Sequence, residues 1–383
     1  AEGSTTNHIY AIDNKGTLKI TGNGTINARG IFNYGTMTLE NGTINAIDGN
    51  GGYAVRNYAG SFTMNGGTIA TTLEDDHQVD NGGYDATTVR VDEGATFTMN
   101  GGELNNICDY TFAIENHGTT TVKDGKATSV HTTVANYGTI NIEGGKFVCN
   151  GLEGITAHAV WAAEGTTNIS GGPFDGKDNY NGFNVCAQAG ANVEIKGGEF
   201  LNVHSGSLYG EGTITVSAGT FFDKIDDARC VVGFQAVANE NGTYTVKETG
   251  CRNAMTIVDG EYTEFVNEKD ITVGTLTYER TIKAENLNKW QPLYVPFEIP
   301  VQYLLNNNYE VAYFNGFHNE VKEDGEVTSE AYVELIKITS GTLRANFPYV
   351  IKATTEDALN MNLSFEGIVL HATTADKQNM VEC

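Results

Sequence analysis

The sequence predicts an all-β chain. A parallel β-helix of about nine coils occupies residues 1–251, and an antiparallel β-sandwich follows over 252–383. Three observations carry this. There are 46 glycines and only five prolines, so the chain turns sharply and often, with few rigid stops. Apolar residues recur two apart, the period of a strand, and almost no stretch keeps helical periodicity. A glycine-centred motif returns nine times through the first two thirds of the chain, and recurrence on this scale marks a solenoid.

The repeat aligns on Gly16, Gly35, Gly60, Gly94, Gly118, Gly138, Gly165, Gly190 and Gly212, spaced 19 to 34 residues apart, the extremes being Gly16 to Gly35 and Gly60 to Gly94. "IFNYGTMTLENGTI", "VANYGTINIEGGKF" and "VCAQAGANVEIKGGEF" are three of its forms. After the marker glycine, apolar residues alternate: Met37 and Leu39, Phe62 and Met64, Ile140 and Ile142, Val193 and Ile195. After the next glycine comes one more apolar position, filled in successive units by Ile26, Ile44, Ile69, Leu104, Ala127, Phe147, Phe174, Phe200 and Phe221. A third short apolar pair precedes the marker glycine. Three short strands joined by Gly or Asn turns describe one coil. Stacked coils place like residues over one another, so Phe147, Phe174, Phe200 and Phe221 form one internal aromatic column. Asn14, Asn33, Asn57, Asn116 and Asn136, with Asp92 in the same slot, form a second ladder at the corner before the marker glycine. There Asn tolerates a left-handed backbone and bonds the coils on either side.

Residues 8 to about 222 resemble a right-handed parallel β-helix of the pectin-lyase-like type. The "GTx(T/N)(I/V)xxGGxF" coils are similar to those of adhesin-like surface proteins of gut bacteria. The resemblance implies a secreted or cell-surface location in a bacterium. It leaves activity open, because this fold hosts lyases, hydrolases and adhesins. The Asn-Thr-Asp, Gly-His-Gly and Arg-Ile-Lys signatures of the pectinolytic members are absent. Outward positions carry Thr17, Thr36, Ser61, Thr119, Thr139 and Thr166, a lattice of small polar side chains without a carboxylate pair spaced for acid–base chemistry.

A net charge of −25 argues against nucleic acid and anionic membranes as partners. No run of about 18 apolar residues exists, so no membrane-spanning helix is expected. The opening "AEGSTTNHIYAIDN" is already strand-like and reads as a mature or trimmed chain. The best place for chemistry is the insert "TTLEDDHQVDNGGYD". Glu74, Asp75, Asp76 and Asp80 offer the oxygen ligands Ca²⁺ takes. Asp75, Asp76, His77, Asp80, Tyr84 and Asp85, with Tyr110 and Tyr180 on neighbouring loops, pair acids with aromatics in a way that suits a sugar. A solvated acidic loop is the competing reading. Arg56 and Arg90, alike in successive units, read as charge balance for that loop.

The coil pattern stops near Phe222. Cys230 and Cys251 bracket a predicted hairpin about "ANENG" that closes the solenoid end, and folding it suggests a disulfide between them. Seven strand-like runs beyond Arg252, lacking Gly-Gly corners, suggest the sandwich. "YERTIKAENLNKWQPLYVPFEI" and "GTLRANFPYVIKA" resemble a C-terminal module common in surface proteins of gut bacteria. The expected protein is a monomeric, non-enzymatic, adhesin-like scaffold displaying loops, with glycans or other cell-surface components as partners and no cofactor other than Ca²⁺. A carbohydrate-binding protein and a polysaccharide lyase or hydrolase are the alternatives.

Overall fold

The computed structural model describes residues 12–28, 30–46, 53–71, 87–108, 111–151, 156–176, 182–201, 203, 205–259, 269–321 and 327–372. It divides into two compact units, Ala1–Val231 with Ala236–Lys247, and Val232–Gln235 with Glu248–Cys383. The first is a parallel β-solenoid. Three strands make each regular turn, as in Ile31–Asn33, Thr36–Leu39 and Thr43–Ala46. The first strands of all turns form one nine-stranded parallel sheet. The second and third strands stack likewise. They merge into one 18-stranded sheet because Asn192–Leu201 and Thr213–Phe221 each run through both faces.

Register makes the core. Ile31, Val55, Val89, Ile114, Val134, Val160 and Val185 lie directly over one another, and all are 0% exposed. The column from Ile26 to Phe221 is in register at every step. Its four phenylalanines stack face to face, with centroids 5.1, 4.8 and 4.7 Å apart and planes within 7°. A second pair, Phe62 and Phe97, stacks at 4.9 Å one column away. Each buried side chain of this size contributes roughly 1.5–3 kcal/mol, which offsets the entropy lost in the glycine corners.

The asparagine ladder is real but broken. Asn14 Nδ2 donates to Asn33 Oδ1 and Asn33 Nδ2 to Asn57 Oδ1, both at 2.6 Å, and Asn116 Nδ2 donates to Asn136 Oδ1 at 2.7 Å. The slot between Asn57 and Asn116 holds Val91, not Asp92. Asp92 begins a four-residue corner, where two residues follow Asn33 or Asn116, and points outward to two arginines. Across the gap, Asn57 Nδ2 turns to the carbonyl of Thr96 at 2.8 Å. The ladder asparagines are also not left-handed: each ends a three-residue strand. Among the described residues, the non-glycine residues at positive φ are Asn288, Asn308 and Asn346. Glycine is needed instead at the corner, where a Cβ on Gly35 would lie 2.1 Å from the Gly16 carbonyl oxygen.

The hairpin Phe234–Ala238 and Tyr244–Glu248 closes the C-terminal end, Tyr244–Val246 pairing antiparallel with Gly219–Phe221. Its backbone bonds match Asn239 with Thr243 and Gly233 with Thr249. Beyond Thr249 the chain leaves the hairpin, and Cys251 pairs with Thr272 in the parallel ladder of the second unit. Cys230 is buried and bridges to Val216, whereas Cys251 is exposed. No disulfide joins them.

The second unit packs antiparallel sheets about one core, with two departures from a plain antiparallel sandwich. Cys251–Asp259 runs parallel to Ile271–Thr281, which pairs antiparallel with Asn360–Leu370. A short helix, Val301–Asn306, also intervenes. The other main sheet orders Gln291–Leu293, Tyr349–Ala353, Tyr309–Val321 and Val327–Ile338. Val273, Leu276, Tyr278 and Leu363 of one sheet share a core with Val311 and Ile351 of the other. Along Ile271–Thr281 the buried phase switches between Val273 and Leu276. The switch falls at Gly274, whose Cβ would meet the Asn253 carbonyl oxygen at 2.6 Å, and across from it Gly367 takes φ +62°. Among the described residues no helix is long and apolar enough to cross a membrane.

Candidate functional site

The strands of the nine-stranded sheet are mostly three residues long, with both ends buried. The middle residue therefore points outward. In register this outer column reads Asp13, Phe32, Arg56, Arg90, Glu115, Ala135, Trp161, Cys186 and Tyr209. Residues two places later add a parallel row: Tyr34, Tyr58, Asp92, His117 and Tyr137. The other faces of the solenoid carry mainly Thr, Ser and Asn outward, joined by exposed amide pairs such as Asn23–Asn41 and Asn65–Asn100. The strip is chemically distinct from those walls.

Its middle is a charge lattice. Arg56 Nε and Arg90 Nε donate to the two oxygens of Asp92, each at 2.8 Å. Arg90 Nη1 reaches Glu115 at 2.6 Å, and His117 Nε2 meets the same Glu115 oxygen at 2.9 Å. The Thr87 hydroxyl donates to the other Glu115 oxygen at 3.2 Å. Arg56 also lies 4.0 Å from the Tyr58 ring centroid and 5.1 Å from that of Tyr53, a cation–π arrangement. Burial disfavours charge on Arg90, yet its bonds to Asp92 and the nearby Glu115 outweigh this and raise its pKa above the ordinary guanidinium value. Arg56 and Arg90 thus balance Asp92 and Glu115 within the strip.

Aromatic rings flank the lattice. On one side Tyr34 and Tyr58 stack at 4.8 Å with planes 4° apart. On the other, His117 and Tyr137 stack at 4.4 Å and 1°. Trp161 meets Tyr137 edge-on at 5.8 Å, and Phe183 stacks on Tyr209 at 4.5 Å. Burial first, then the Glu115 carboxylate, push the Tyr137 phenol upward, so it stays protonated as a hydrogen-bonding group.

The residues singled out for binding, Glu74, Asp75, Asp76, His77, Asp80, Tyr84, Asp85, Tyr110 and Tyr180, lie outside the described residues. The Ca²⁺ expectation at Glu74, Asp75, Asp76 and Asp80 lies there too. Among the described residues, no group of three or more His, Cys, Asp or Glu side chains could hold a metal ion. The strip escaped the sequence reading, although its signal was present. The ladder asparagines are embedded in "FNY", "RNY", "ENH" and "ANY", a recurring outward–inward–outward triplet with an aromatic at its end.

No family model, curated protein or solved structure matches this chain.

Proposed function

We propose that the chain is a non-enzymatic, secreted or cell-surface scaffold of the adhesin-like kind, in which a rigid solenoid presents a binding face to glycans or other surface components. One observation carries this reading: the strip of aromatic and charged side chains is held in register, coil upon coil, by the parallel sheet beneath it. A wall built this way fixes side chains along a line without a moving part, which favours recognition of an extended partner. Its two central carboxylates support binding over catalysis. Asp92 is bracketed by Arg56 and Arg90, and Glu115 by Arg90 and His117. Both oxygens of each carboxylate are therefore occupied within the strip, by Arg56 and Arg90 on Asp92 and by Arg90, His117 and Thr87 on Glu115.

The test is incubation of the purified chain with neutral and acidic polysaccharides, with and without Ca²⁺. New reducing ends and unsaturated products are assayed alongside retention on immobilised glycans. Retention without products is expected. Products from any substrate overturn the reading in favour of a polysaccharide lyase or hydrolase, and Ca²⁺-dependent products assign the ion to that chemistry.

A further inference from the structure

The part of the strip beyond Glu115 has a geometry that the charge lattice does not require. Ala135 and Cys186 point away from the core on either side of Trp161 in the outer column. Both are small, yet Ala135 is 0% exposed and Cys186 is 3% exposed. A small outward side chain is hidden only when larger neighbours lie over it. The orientation of Trp161 fits that role. His117 and Tyr137 are parallel and one coil apart, so their rings stand edge-on to solvent. The indole makes 77° with Tyr137 and so does not continue that edge-on stack. Phe112 starts two coils away from Trp161, about 9.6 Å at ~4.8 Å per coil, and is displaced along the strand as well, three residues before Glu115, the position in register with Trp161. The two ring centroids are nevertheless 6.2 Å apart, with planes at 34°. They meet by leaning towards each other across the intervening coil, whose His131 ring centroid lies 6.0 Å from that of Phe112. Both rings remain partly exposed. The result is an apolar platform bordered by the Tyr137 phenol, the His117 imidazole and the Glu115 carboxylate.

We propose that Phe112 and Trp161 form a saccharide subsite that takes the apolar face of a sugar ring in an uncharged glycan, with Tyr137 and His117 bonding hydroxyls at its edge. A pyranose offers a C–H face and a hydroxyl rim, the complement of a flat aromatic platform with polar borders. The uncharged class follows from charge. The protein carries −25 and repels polyanions, while Arg90 and Glu115 neutralise each other beside the platform. The inference deepens the scaffold reading and rests on it.

The chain has two tryptophans, so Trp290→Phe leaves Trp161 as the single indole reporter. Its emission is titrated with cellohexaose, xylohexaose, mannohexaose and maltohexaose, and with polygalacturonate as the charged counterpart. At least one neutral hexasaccharide is expected to shift the emission saturably. Calorimetry on the parent chain should then show affinity falling roughly ten-fold in Phe112→Ala and Trp161→Ala, the loss of one ring contact, and holding within about three-fold in Trp161→Tyr and in Tyr332→Ala, an exposed ring of the second unit. Phe112→Ala keeps the test decisive if Trp161→Ala fails to fold, because unchanged binding in it overturns the proposal too. The proposal is overturned if no neutral probe moves an emission that acrylamide can quench, if polygalacturonate alone binds, or if Trp161→Ala binds as the parent does. It is overturned too if sedimentation shows a second copy of the chain burying Trp161. Product release in the same mixtures would refute the non-enzymatic reading while leaving the subsite standing. Absence of binding without turnover would remove the subsite alone.

Discussion

Replacing Asn33 with valine should cost roughly 2–4 kcal/mol, and replacing its neighbour Asn57 as well should cost less than the sum of the two. Asn33 is 0% exposed. Its Nδ2 donates to Asn57 Oδ1 at 2.6 Å and to the Ser61 carbonyl at 3.1 Å, while its Oδ1 accepts from Asn14 at 2.6 Å. A net bond is worth about 1 kcal/mol, and a buried group left without a partner costs about 1–3 kcal/mol. The single change orphans the Asn57 oxygen on one side. On the other, Asn14 keeps a bond to the Thr36 carbonyl at 3.0 Å. Shape is not the obstacle, because Val91 occupies the same slot two coils on. In Asn33→Val/Asn57→Val the orphaned oxygen is gone, so a favourable coupling of about 1–2 kcal/mol is expected. The assay is urea unfolding followed by Trp161 emission in a Trp290→Phe background. Hydrogen exchange at Ile31–Asn33 and Val55–Asn57 locates the loss, since coils of a solenoid couple chiefly to their neighbours. A single-variant cost below about 0.5 kcal/mol, or strict additivity in the pair, would refute the ladder as an energetic unit.

Phe174→Ala removes the ring between Phe147 and Phe200, 5.1 and 4.8 Å away. It should lower stability by about 3–5 kcal/mol, read as a shifted urea midpoint. His158 is pushed down to about 4, chiefly by burial and then by His131. The unfolded imidazole protonates first, near its ordinary 6.5, so stability is full above that pH and falls as pH drops towards 4. At about 1.4 kcal/mol per pKa unit the span is ~3 kcal/mol. His158→Gln should flatten this segment of a stability–pH curve, and an unchanged slope would contradict the assignment. Burial pushes the Cys149 thiol up to about 12, whereas Cys251 is exposed. Brief native alkylation with iodoacetamide should therefore label Cys251 and spare Cys149. Non-reducing peptide maps should lack a Cys230–Cys251 peptide, and its presence would refute the observed hairpin register. Gly35→Ala places a Cβ 2.1 Å from the Gly16 carbonyl oxygen, so exchange protection should fall in Ile12–Asn14 and Thr17–Ile20 ahead of the coils beyond.

Much of the fold is written in short-range pattern. Alternation such as Met37–Leu39 specifies strands, glycine specifies corners, and recurrence of the unit specifies stacking. Together these place Phe147, Phe174, Phe200 and Phe221 in one column before any coordinate is known. The error at Asp92 shows where that information ends. Counting back two places from Gly94 lands on Asp92, but its corner holds four residues before Thr96 where those after Asn33 and Asn116 hold two. Backbone hydrogen bonds align strands, not corners, and so put Val91 in the ladder. The Cys230–Cys251 expectation failed likewise, because Cys251 has left the hairpin to pair with Thr272 while Cys230 bridges to Val216. The strip depended wholly on tertiary structure. Arg90 and Glu115 are 25 positions apart and His117 and Tyr137 twenty, and they meet because coils of unequal length are closed to a common rise. A single chain pattern determines which side chains face outward. Which of them become neighbours is decided by register between segments distant in sequence.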